Sequence, residues 1–353
     1  MPLSRRHFLA ASLTLTTWSL YAANPAKRSP VILSAGWDEE ETWCAGNLSR
    51  PSAKLPGRGH VLIPDPNRFG EAIVVARRPG YYLARIDWRR GRLLQHFELE
   101  DERNLVGHAV FSHDGKQLIT AETDERNGVG RLVVRDARNF KRLEDRPSHG
   151  VGPHEILWLD RHTLAVANGG ILTLPETGRY KRNIGRMNPS LVLIDSRDGG
   201  LLKEYRLPDN KLSIRHLDVT ADGTLGAALQ NEGSNLSPVL AILRDGQFGY
   251  ADTPPDLCQA MQGYAASLAA LGDRFLMPCP TGNLLTEWSS TGQPTAQLPL
   301  PRVFGAASLD GNWLASGEGG EIWHLQSGNL KLQMVERYPH HWDNHLTVIS
   351  GAQ

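Results

Sequence analysis

The sequence predicts an all-β protein, a seven-bladed β-propeller of four-stranded blades. Two observations lead there. A unit made of a short strand, a tight turn and a second strand recurs with starts about 40 to 48 residues apart, one interval being stretched to 62. Four short strands at that spacing describe a propeller blade. The chain also carries nine Trp and 35 Gly, which suits a β-rich protein with many turns, and no helical periodicity competes.

The units follow in order. They begin at His60 (HVLIPDPNRFGEAIVVARR), His108 (HAVFSHDGKQLITAET), His154 (HEILWLDRHTLAVANGG), His216 (HLDVTADGTLGAALQNE), Tyr264 (YAASLAALGDRFLMPCP) and Phe304 (FGAASLDGNWLASGEGG). Asp114-Gly115, Asp160, Asp222-Gly223 and Asp310-Gly311 each lie six residues after the start of their unit, and Gly272-Asp273 begins eight after Tyr264. Asp-Gly pairs supply the positive φ that a short hairpin needs. Third strands follow as RLVVRDA, SLVLIDS, VLAILRD, LLTEWSS and EIWHLQS. A Gly turn and a fourth strand complete each unit.

A seventh unit is split between the chain ends. HLTVIS at His345–Ser350 is its inner strand, and VILSAGW, TWCAGNL and the segment near Leu55 supply the rest. Pairing the two ends closes the ring and removes the open sheet edge. Six and eight blades are the alternative counts. The unit from His154 is stretched by residues 168–188, a Gly-, Arg- and Lys-rich loop that is expected either to flank the histidine face or to lie in solvent.

The first residues read as an address. Ser4-Arg5-Arg6-His7-Phe8-Leu9 and the modest apolar run to Leu20 have the pattern of a twin-arginine (Tat) signal. Cleavage is expected near Ala22-Ala23 or Ala26. Residues 1–26 are thus a signal peptide and 27–353 a single propeller domain in the periplasm. After cleavage no membrane anchor is expected. The 38 basic and 38 acidic residues balance, so no basic field invites nucleic acid. Cys258 and Cys279 flank one unit and could pair in an oxidising compartment. No C-x-x-C, G-x-S-x-G, H-E-x-x-H, P-loop or EF-hand pattern occurs.

The candidate site comes from the repeat itself. In a propeller the inner strands line the central channel, and residues that open them form a circle at one mouth. Here that circle is His60, His108, His154, His216, Tyr264, Phe304 and His345: five imidazoles in an arc faced by two aromatics. Neutral imidazole binds Zn, Cu, Fe and Ni well, so these five histidines are the candidate metal ligands. Glu155 and Arg215 adjoin two of them. Strand alternation turns such neighbours away from the channel wall, although at a strand end they can still reach the mouth. Arg58 in Gly57-Arg58-Gly59-His60 could meet an anionic ligand there, and Tyr264 and Phe304 would shape the opening. His341, four residues before His345, offers a further imidazole. Arg77-Arg78 and Arg89-Arg90 read as solvated edges.

Three readings stay open at this point. The repeated histidine could be structural, like the blade histidine of WD-repeat propellers, although that residue lies further upstream of its turn and the blade-end Trp-Asp pairs are missing here. The ring could hold a transition metal, Fe, Cu or Zn. It could instead form a metal-free pocket for a small anion or for acid–base chemistry.

The segments GRGH (57–60), GHAVFSHDG (107–115), GPHEI (152–156), NGGI (168–171), RHLD (215–218) and NHL (344–346) resemble an uncharacterised bacterial family of Tat-exported propellers. The resemblance spans nearly all of the chain after the signal. It implies a neighbourhood of imelysin-like periplasmic proteins and iron uptake. Where that family carries His-Pro in the long loop, this chain has Leu174-Pro175, so no ligand is expected from there. The reading is a monomeric periplasmic propeller whose histidine mouth binds a transition metal or a metal-bearing ligand, with an imelysin-like protein as partner. A propeller enzyme of lactonase, lyase or quinone-oxidoreductase type and a protein-interaction platform are the rival functions. The absence of a distinct nucleophile weighs against an enzyme.

Overall fold

Apolar strands bounded by glycine turns pair in sequence order wherever the connection between them is short, and that rule builds most of this molecule. In the computed structural model, which describes residues 30–78, 80–173 and 180–349, the strands form seven antiparallel sheets. Six are made of four consecutive strands each, and we number them blades 1 to 6. They span residues 59–98, 103–147, 153–205, 212–250, 269–299 and 303–337. The signal segment and Leu174-Pro175 lie outside the described residues. No helix among those described is long and apolar enough to cross a membrane.

Blade 7 is the predicted closure of the ring. Strand Val31–Asp38 pairs with Trp43–Asn47 on one side and with the C-terminal strands His340–Trp342 and Thr347–Ile349 on the other. The register aligns Trp37 with His341 and Ile32 with Val348. Its outermost strand, Ala53–Lys54, has two residues.

The turn chemistry acts as the sequence indicates. At Asp310-Gly311 both residues have positive φ, +47° and +78°, and Leu309 pairs directly with Asn312. This is a two-residue type I′ hairpin, which needs φ > 0 at both central positions. The second strand of blade 1 is packed between its neighbours and carries an unbroken apolar run from Ala72 to Ala76. Ile73, Val74, Val75 and Ala76 are all fully buried. Burying one such branched side chain stabilises by about 1.5–3 kcal/mol. The fourth strands are largely exposed, and in blade 5 Pro294–Pro299 alternates with one side to solvent. Polar ties join adjacent blades: the Trp158 indole donates to the Phe111 carbonyl at 2.8 Å, and the Trp313 indole to Glu287 at 2.7 Å.

Two features depart from expectation, and one open reading is resolved. A helix, Pro255–Met261, fills the connection from blade 4 to blade 5 and buries Leu257, Cys258 and Met261. Its seven residues are two turns, too few to print a periodicity. The inner strand of blade 5 is only Ala269–Leu271, not a run from Tyr264. Pro278 on the opposing strand has no N–H to donate, so the ladder stops beside it. Cys44, Cys258 and Cys279 are buried and free, so of the two readings of Cys258 and Cys279, a bridge or two buried thiols, the second holds.

Candidate functional site

Five of the inner strands share one irregularity, and it falls on or beside the repeated position. Register shifts lie between Gly59 and Val61, Leu105 and Ala109, Pro153 and Glu155, Ile214 and His216, and Val303 and Gly305. His60, His154 and Phe304 are therefore bulged residues, and His108 lies in a three-residue bulge. In blade 7 the two inner pieces are separated by residues 343–346, which include His345. A bulge re-aims side chains and lets consecutive residues face the same way. This is why strand alternation misplaces Glu155 and Arg215. In blade 4 the extra residue is Arg215, so Arg215 and His216 both serve the channel mouth. In blade 3 His154 and Glu155 do the same.

The five imidazoles converge. Ring centroids of neighbouring pairs lie 4.6 to 5.5 Å apart. His108 is the hub, in contact with the rings of His60, His154, His216 and His345. Two triads, His60/His108/His345 and His108/His154/His216, bring one nitrogen of each member within 4.8 Å of the others. Zinc–nitrogen bonds of 2.0–2.1 Å in a tetrahedron put ligand nitrogens about 3.4 Å apart. Small ring rotations, less than an ångström per nitrogen, would close either triad on an ion.

Two carboxylates orient the rings. Asp343 accepts from His60 Nδ1 at 2.7 Å and from Arg58 Nε at 2.6 Å. Glu155 lies 3.1 Å from His216 Nδ1 and 3.5 Å from His108 Nδ1, and it also accepts the Leu217 amide at 3.0 Å. Carboxylate–imidazole pairs of this kind hold the ring and leave the other nitrogen for a metal. His60 is the exception: its Nε2 accepts from Arg77 Nη1 at 3.1 Å, so it joins an ion only by giving up that bond. By contrast, His108 Nε2, both nitrogens of His154 and His345 Nε2 are buried and have no hydrogen-bond partner among the described residues.

Burial keeps His60, His154, His216 and His345 neutral. Desolvation drives His60, His154 and His345 well below the ordinary imidazole range, helped by Arg77 at His60, by Arg215 and Arg77 at His154, and by His60 at His345. Desolvation also lowers His216 to about 4, against the pull of Glu155. At Glu155 itself burial works against the charge, but His108 and His216 outweigh it and hold the carboxyl well below its usual range. Between pH 6.5 and 4 the unfolded chain takes up a proton that folded His216 refuses. Stability is therefore complete above pH 6.5 and is lost as the pH falls through that window. His216 alone accounts for about 2 kcal/mol lost by pH 5. Urea titrations of chelator-treated protein should show this fall, and a flat profile from pH 7 to pH 5 would contradict it.

Arg58, Arg215, Tyr264 and Phe304 line a cavity of about 800 Å³ over the histidines, with His154 in its wall. Glu155 instead turns inward to the rings. The long loop flanks this cavity through Ile171, Thr173 and Lys181, as one of its two expectations held. His341 does not reach the cluster: it stacks on Trp37 at 5.1 Å and contacts the Glu318 carbonyl at 2.8 Å. Arg89 and Arg90 are exposed. Arg77-Arg78 is not a solvated edge, for Arg77 is buried against His60 and both residues line the cavity.

Sequence reasoning missed Arg77 and Asp343. An acidic residue two places before the last repeated histidine was the available signal for Asp343; nothing local marked Arg77. Asp343→Asn is expected to cost about 3 kcal/mol, because Arg58 and His60 lose a buried anionic acceptor. Denaturant unfolding at pH 7.5 measures this, and an unchanged midpoint would remove Asp343 from the site.

Fold and site together define a class: a seven-bladed propeller with a histidine-lined channel mouth beneath a basic cavity. Residues 53–349 match the family described as "Protein of unknown function (DUF1513)", and the chain belongs to that family. No curated protein matches the sequence. Among solved structures, BamB from Moraxella catarrhalis is similar in fold, with a TM-score of 0.56 and 14% identity over 90% of this chain and 86% of that one. The C-terminal WD40 domain of Sif2 is similar with a TM-score of 0.51 and 11% identity, covering 88% of this chain and 82% of that one. At these identities the likeness concerns the fold alone.

Proposed function

We propose that this protein is a Tat-exported periplasmic propeller that binds a transition-metal ion at its histidine mouth and serves metal uptake or handling. One observation carries the reading. Five imidazoles from five blades converge, and four of their nitrogens are buried without a partner among the described residues. A buried polar atom left unpaired is costly, and imidazole nitrogens are good donors to Fe, Cu or Zn. The donor set fits such an ion in either triad, His108 with His154 and His216, or His108 with His345 and with His60 once Arg77 releases it. Asp343 and Glu155 orient the rings. The twin-arginine leader supports export, and the resemblance to propellers encoded beside imelysin-like proteins supports iron as the metal and such a protein as partner.

Elemental analysis of the purified mature protein, followed by titration with Fe, Cu and Zn after chelation, tests the reading. Stoichiometric metal is expected, and the double variant His108→Ala/His154→Ala should take up none. A protein that binds none of the three metals, and is unaltered by that double substitution, would sink the idea.

A further inference from the structure

The cavity above the histidines carries far more positive charge than a metal-ion site needs. Arg58, Arg77, Arg78, Lys181, Arg215 and Arg302 all line it. Three of these have carboxylate partners: Arg58 pairs with Asp343, Lys181 with Glu232 at 2.6 Å, and Arg302 with Glu318. Arg77 and Arg215 are different. They are 8% and 7% exposed, yet neither has a carboxylate in ion-pair contact among the described residues. Arg77 meets only the neutral Nε2 of His60. Arg215 makes no hydrogen bond or ion pair there, and Glu232 and Tyr264 act on it only through space.

A buried guanidinium without a counter-ion is unfavourable in the free protein. It is held in place here by a specific device, since Arg215 is the extra residue of its strand's bulge. Guanidinium forks match the paired oxygens of carboxylates and phosphates. We infer that Arg77 and Arg215, together with Arg58 and Arg78, form a binding site for a small multiply charged oxyanion, a polycarboxylate or a phosphate, seated directly above the histidine cluster. The site needs no metal. Where both ligands bind, the anion offsets the basic wall that would repel a bare cation, so each raises the affinity of the other.

Calorimetry on chelator-stripped protein tests this, with tricarballylate and pyrophosphate as separate probes and chloride at equal ionic strength as control. At least one probe should bind in the micromolar range, weaken as salt rises, and raise the melting temperature. The stronger of the two identifies the ligand's chemistry. Arg215→Gln should weaken that binding at least tenfold, while its melting temperature without anion equals or exceeds that of the wild type, because an uncompensated charge is gone. Arg78→Gln provides a second variant, also expected to weaken binding. No binding of either probe at millimolar concentration, or undiminished binding by both variants, overturns the inference. Anion binding by a protein that takes up no metal would support this site and refute the metal reading. Metal uptake with no anion binding would do the reverse.

Discussion

His108→Ala is expected to lower metal affinity on the order of a hundredfold or more, the largest effect of any single histidine substitution. The reason is topological. His108 belongs to both triads that can close on an ion, and its ring touches the other four. Structural zinc sites with four ligands bind with about 10–16 kcal/mol, or about 3 kcal/mol per ligand, and each 1.4 kcal/mol is tenfold. His60→Ala should cost less affinity and more stability. Both nitrogens of His60 already have partners, so its removal strands Asp343 and Arg77 instead of an ion. Competition titrations against a chelator of known affinity, run beside urea unfolding, separate the two effects. Equal losses of affinity at His60 and His108 would refute the hub.

Gly107→Ala is expected to destabilise the fold by about 3–5 kcal/mol and to disorder the His60 end of the cluster. Gly107 has φ +108°, where an L residue is strained by about 1–3 kcal/mol. A Cβ there would also lie 2.3 Å from His60 Cδ2 and 2.9 Å from Arg77 Cδ. His60 would have to move, and it cannot without breaking its bonds to Asp343 and Arg77. Denaturant unfolding should show the loss of stability, and imidazole proton resonances should show the displaced ring. A variant as stable as the wild type would mean that the three-residue bulge of blade 2 yields easily.

Much of this architecture was open to reading in one dimension because its determinants are local. Glycine turns and alternating or continuous apolar runs set each hairpin, so six blades and the split seventh follow from patterns a few residues long. The equivalence of His60, His108, His154, His216 and His345 needed only the repeat, because a ring symmetry turns equal sequence positions into neighbours in space. The short helix Pro255–Met261 and the stunted inner strand of blade 5 escaped because two turns carry no period and a single proline acts on its partner strand.

The chemistry of the site divides along the same line. By its sequence alone the chain determined which histidines meet at the channel mouth. Only the tertiary structure decided how they meet. The bulges, which arise from pairing with the next strand, turned Glu155 and Arg215 inward where alternation alone would point them away. Asp343 reached His60 across 283 positions of sequence, through ring closure. Arg77 became a buried neighbour of the histidines because His60 and Gly107 of the next blade lie against it, and no pattern of nearby residues records that burial. Charge compensation, tautomer and orphaned nitrogens depend on distances between blades, and those are set by packing around the whole ring.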